Sequence, residues 1–110
     1  MSVDQDTRTL TEITGLRDAN TQDGTAPRIE RVAAVAGVTV VRLSFRAGQS
    51  MEDHKARFPI LVQGQSGHVT FATADRTVDL VPGVAVHVDA ELTHRLQAVE
   101  DSVITLLVLR

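Results

Sequence analysis

From residue 29 onward, apolar and polar positions alternate in short runs. Residues 39–45 read Thr-Val-Val-Arg-Leu-Ser-Phe, which places Val41, Leu43 and Phe45 on one face of an extended chain. The same two-residue period returns at 69–72, 84–88 and 94–98. Val and Thr dominate these runs, and both suit a pleated sheet. Turn formers interrupt them at Gly37, Ala47-Gly48, Pro59, Gly64, Gly67, Ala74-Asp75, Pro82-Gly83 and Glu100-Asp101. About eight short strands with regular turns predict an all-β sandwich or barrel. Residues 103–109 are nearly all apolar, so that strand needs cover on both faces or at its edge. A partner subunit is one way to supply it.

The first 27 residues break this pattern. Leu10, Ile13 and Leu16 stand at helical spacing, which predicts a short helix over residues 9–19. The segment then runs into a cluster of turn formers ending at Pro27. Residues 1–27 therefore read as a short helical or flexible, solvated N-terminal arm, and residues 28–110 as the single β-domain.

Charge sharpens this division. The arm carries Asp4, Asp6, Glu12, Asp18 and Asp23 against Arg8 and Arg17, which is the whole net charge of −3. The remainder holds nine acids and nine bases and is neutral. Such a balance argues against a nucleic-acid partner. The absence of Cys excludes disulfides, thiolate metal sites and cysteine nucleophiles. With no Trp or Tyr and three Phe, the aromatic platform for stacking bases is nearly missing. No apolar run reaches the roughly 20 residues of a membrane helix. The polar start of the chain lacks the apolar stretch of a signal peptide, and the cytoplasm is the expected compartment. Four histidines, His54, His68, His87 and His94, are left as the chemistry to explain.

Two of them fall in a spaced pattern. Gly48 is followed after five residues by His54, and Gly67 closes the stretch; Gly83 is followed after ten residues by His94. This resembles the two motifs of the cupin superfamily, G-x5-H-x-H-x3–4-E-x6-G and G-x5-P-x-G-x2-H-x3-N. The resemblance spans roughly residues 30–110. It implies a single-domain jelly roll, or double-stranded β-helix, and a homodimer. It also implies a small-molecule site inside the barrel, in members that often hold Fe(II), Mn(II), Ni(II) or Zn(II) on three His and one Glu. Here only two of those four ligand positions survive, His54 and His94. Ala56 stands for the second His, Ile60 (or Leu61 with the longer spacing) for the Glu, Asp89 and Glu91 for the Pro and Gly, and Ala98 for the Asn.

Several other residues are candidates beside the pair. Met51 and Phe58 read as pocket lining. Gln63 is polar within the apolar run 60–63, where a buried amide must find a partner, either a ligand or an opposing strand. Lys55 is the only lysine, but it neighbours an inward His and should point outward. His68 and His87 alternate with apolar neighbours and should face away from the interior, and Arg57 and Arg95 read as solvated. No phosphate loop, Ser-His-Asp order or H-E-x-x-H stretch is present.

Three functions fit these residues. The first is a protein that binds a small molecule near His54, His94, Gln63, Met51 and Phe58. The second is a metal-dependent oxygenase or isomerase with His54 and His94 as ligands. The third is a structural protein in which both histidines are core.

Overall fold

Alternating Val- and Thr-rich runs become nine antiparallel strands in a computed structural model that describes residues 7–19 and 22–110. They are β1 (Arg28–Val35), β2 (Val38–Phe45), β3 (Ser50–His54), β4 (Ile60–Ser66), β5 (Val69–Ala72), β6 (Thr77–Leu80), β7 (Ala85–Val88), β8 (His94–Ala98) and β9 (Ser102–Leu109). A five-stranded sheet has the order β1-β2-β9-β4-β7, and a four-stranded sheet the order β3-β8-β5-β6. The two sheets face one another as a jelly roll. Their inner faces meet in a core of Leu43, Phe45, Ile60, Val62, Val69, Phe71, Leu80, Val88, Leu96, Ala98 and Ile104. No helix among the described residues is long and apolar enough to cross a membrane.

The apolar strand β9 lies between β2 and β4, paired along its length with both. Both its edges are thus covered within the chain. Two glycines permit the tight corners around it. Gly67 adopts φ 75°, and a Cβ there would be driven into the Asp101 carbonyl oxygen. Gly64 lies against the backbone of Val81, where a Cβ would meet the Val81 carbonyl.

The arm departs from expectation twice. No helix forms among residues 9–19. Gly15 takes φ 77° and starts a turn in which the Asp18 amide donates to the Gly15 carbonyl. That left-handed residue interrupts the helical path, and Thr7, Thr9, Thr11 and Thr14 are weak helix formers. Leu10 is accordingly 97% exposed.

The arm is also not merely solvated. Arg42, buried on the outer face of β2, donates from Nη1 to the Gly15 carbonyl at 2.5 Å and pairs with Glu30. Ser44 Oγ donates to the Asp18 carbonyl at 2.7 Å. Further along, the Ser50 amide donates to the Thr25 carbonyl, and Gln49 Nε2 donates to the Gly24 carbonyl. Gly15 and Asp18 thus strap the outer face of β2, and Gly24 and Thr25 hold to the start of β3.

Candidate functional site

His54 and His94 are direct cross-strand partners on β3 and β8. Strict alternation would place Met51 and His54 on opposite faces of β3. Instead the register shifts between them: Met51 faces Leu96 and His54 faces His94, three residues along β3 against two along β8. The extra residue is a β-bulge, and it returns His54 to the face that carries Met51. The two imidazole centroids are 4.3 Å apart in an edge-to-face arrangement. Phe71, from the neighbouring strand β5, stacks on His94 at 5.1 Å.

Backbone carbonyls fix the state of both rings. His94 Nδ1–H donates to the Leu92 carbonyl at 2.9 Å, and His54 Nδ1–H donates to the Glu52 carbonyl at 2.7 Å. A carbonyl can only accept, so Nδ1 holds the proton and Nε2 keeps the lone pair in each neutral ring. Neither Nε2 has a hydrogen-bond partner among the described residues, and neither is among the fully enclosed unpaired atoms, which are Arg42 Nε and Thr105 Oγ1. His94 is 2% exposed. Burial lowers its pKa from the ordinary histidine value; the Leu92 hydrogen bond opposes this, and the charge of His54 reinforces it. In its neutral form each of the two adjacent imidazoles can accept a hydrogen bond from a ligand at Nε2.

The donor set does not fit a resident metal. Among the described residues no group of three or more His, Asp or Glu side chains is placed to hold an ion. Ala56 packs against the core and Ile60 is 2% exposed within it, so hydrocarbon fills both missing ligand positions. Divalent sites in proteins ordinarily use three or more protein ligands.

The remaining candidates disperse. Met51 packs inward beside Leu96, as pocket lining would require. Phe58 does not join it: its ring is 39% exposed on the loop after β3, with the Arg57 guanidinium 5.5 Å above it. Gln63 is also elsewhere. Ile60 and Val62 enter the core, so Gln63 lies on the outer face of the large sheet, opposite Thr105 and Ala85. Lys55 points outward and pairs with Glu91 at 3.5 Å. His68 bonds Asp79 at 2.9 Å, His87 is exposed on the outer face opposite Leu61, and Arg95 pairs with Asp53.

The expected pocket lined by both imidazoles is not among the clefts of the described residues. Instead an apolar cleft of about 200 Å³ opens between the edge strands β6 and β7, lined by Phe71, Val78, Val86, Val88 and Leu92, with Thr73, Arg76 and His87 at its rim. Two of its residues touch His94, Phe71 through its ring and Leu92 through its carbonyl. A wider cleft of about 410 Å³ adjoins it at Leu92 and Thr73 and is lined by Asp53, Asp75, Glu91 and Arg95. A third groove, bearing Ser50, Glu52, Thr70 and Gln97, lies on the outer face of the small sheet, away from the core. Phe71 and Leu92 escaped the sequence reading as site residues. Phe71 is recognisable there as an inward residue of 69–72, but its proximity to His94 depends on β5 pairing with β8. Glu91 adopts φ 66° where the family motif carries Gly, a signal present in the motif alignment itself.

No protein-family model and no curated protein matches the chain. Solved structures do. An RmlC-like cupin protein from Desulfovibrio desulfuricans aligns at TM-score 0.78 and 18% identity, covering 91% of this chain and 97% of its own. KdgF from Halomonas sp. aligns at TM-score 0.68 and 24% identity, over 81% and 86% of the two chains. A protein of unknown function from Rhizobium leguminosarum aligns at TM-score 0.78 and 15% identity, over 93% and 98%. The chain has the cupin fold, as its two motif remnants implied.

Proposed function

We propose that this cupin-fold chain binds a small organic molecule between its two sheets, with His54 and His94 as paired hydrogen-bond acceptors. The observation that carries the reading is the imidazole pair. A purely structural histidine satisfies both ring nitrogens or replaces one with packing. Here two neighbouring rings are each held by Nδ1 to a carbonyl, and each leaves Nε2 without a partner among the described residues. A bulge is spent on bringing the second ring to the same face. Phe71 and Met51 provide the apolar side of such a site.

The fold alone does not choose a ligand, because it hosts many activities. The degenerate donor set favours binding over metal-dependent turnover as the primary reading.

A thermal-shift screen of small metabolites tests it. A ligand at 100 times its dissociation constant adds about 2.7 kcal/mol of stability. Stabilising compounds should lose their effect in His94→Leu and His54→Leu. A hit unaffected by both substitutions binds elsewhere, and a comprehensive screen without hits contradicts the reading.

A further inference from the structure

The interior is not closed evenly. Strands β6 and β7 are the unpaired edges of their sheets on one side of the sandwich, and no ladder joins them. The gap between them is the 200 Å³ cleft. Its walls are hydrocarbon from both sheets: Phe71 and Val78 from one, Val86 and Val88 from the other. Leu92 closes one end and is 45% exposed, an apolar side chain left in contact with solvent. The volume is below the roughly 300–1,000 Å³ of drug-sized sites, so the occupant is small.

The rim supplies a charge. Arg76 sits at the turn between β5 and β6, where its carbonyl accepts from the Thr73 amide. Its guanidinium has no ion-pair partner among the described residues, while Arg28, Arg42, Arg46 and Arg95 all do. Asp79, on the same strand as the cleft's Val78, is engaged by His68, and Asp75 lines the neighbouring cleft. A guanidinium beside hydrocarbon walls matches a carboxylate on an apolar body, because the planar fork recognises carboxylate oxygens in pairs.

We propose that the cleft takes a short-chain aliphatic monocarboxylate, its carboxylate on Arg76 at the rim and its chain against Phe71, Val86, Val88 and Leu92. The assignment goes beyond the small-molecule reading above: it concerns the cleft beside the imidazole pair, and an aliphatic carboxylate brings no donor to either Nε2. The chain end would lie against Phe71, the ring that stacks on His94.

Titration of ¹³C-labelled protein with sodium hexanoate, followed by NMR, tests this. Saturable shifts of the Phe71 ring, the Val86 and Val88 methyls and the Leu92 methyls are expected. The affinity should drop about tenfold in Arg76→Gln, the loss of one charge-assisted contact. It should be unchanged in Arg57→Gln, whose guanidinium lies over Phe58. Hexanamide should bind at least tenfold more weakly than hexanoate. Equal affinities for hexanoate and hexanamide, or no effect of Arg76→Gln, overturn the proposal. If hexanoate leaves the cleft unmoved while compounds from the metabolite screen shift His54 and His94, this assignment falls and the broader reading stands. If hexanoate shifts the cleft residues while no compound moves either histidine, this assignment stands and the broader reading falls.

Discussion

Replacing His94 by Leu separates a binding residue from a core residue. The substitution removes the Nδ1–H bond to the Leu92 carbonyl, about 0.5–1.5 kcal/mol. It also removes the stack on Phe71, worth about 0.5–1.5 kcal/mol. Against these, hydrocarbon replaces a polar ring in an interior position, a gain of up to about 2 kcal/mol. Near pH 7 the terms nearly cancel, and the variant should lie within about 1 kcal/mol of the wild type. The pH dependence is the sharper signal. Burial lowers the folded-state pKa of His94, so below about pH 6.5 the unfolded chain binds the proton more readily than the folded one. Stability from this group is therefore intact above the unfolded value and falls as pH drops towards the folded value. The slope reaches at most about 1.4 kcal/mol per pH unit. His94→Leu lacks this loss, so its stability relative to wild type should rise between pH 7 and pH 5. Urea unfolding across pH 5–8 measures both effects. Parallel pH profiles would refute the burial argument. A loss above about 2.5 kcal/mol at pH 7 would make His94 a structural core group.

Other substitutions address the frame around the site. Arg42→Met should cost about 1.5–3 kcal/mol and release the strap, seen as faster hydrogen exchange at the Asp18 amide with the core protected. Unchanged exchange would show that Arg42 does not hold the arm. Glu91→Gly relieves a left-handed residue at a cost of about 0.5–1 kcal/mol in chain entropy and should stabilise by about 0.5–1 kcal/mol net; a lower urea midpoint would contradict this. Gly67→Ala combines φ 75° with a collision at Asp101 and should destabilise by more than about 2 kcal/mol in the same assay. Calorimetric titration with Zn(II) or Ni(II) should find only weak binding at the two-imidazole pair. Tight one-to-one binding abolished by His54→Ala would overturn the metal-fit argument.

Much of the fold follows from local pattern. The period-two runs place Leu43, Phe45, Phe71, Leu96 and Ala98 inward, where the core holds them. The motif spacing was enough to single out His54 and His94, which the structure then makes direct cross-strand partners. What lay hidden was nonlocal. The bulge between Met51 and His54 leaves no mark in composition, yet it decides which face the imidazole takes. Phe71 reaches His94 only because β8 lies between β3 and β5 in the small sheet. The cleft likewise exists because β6 and β7 are both edges. Gln63 lies on the outer face of the large sheet, where the alternation of Ile60 and Val62 already points it. The arm failed through Gly15, whose left-handed conformation outweighs three apolar residues at helical spacing.

Crystals of the protein soaked with a library of small organic fragments would test the central claim most directly. The account predicts fragments held between the two sheets, with a donor on Nε2 of His94 or His54 and apolar atoms against Phe71. Fragments found only on outer faces, with both Nε2 atoms sealed by protein groups, would contradict it.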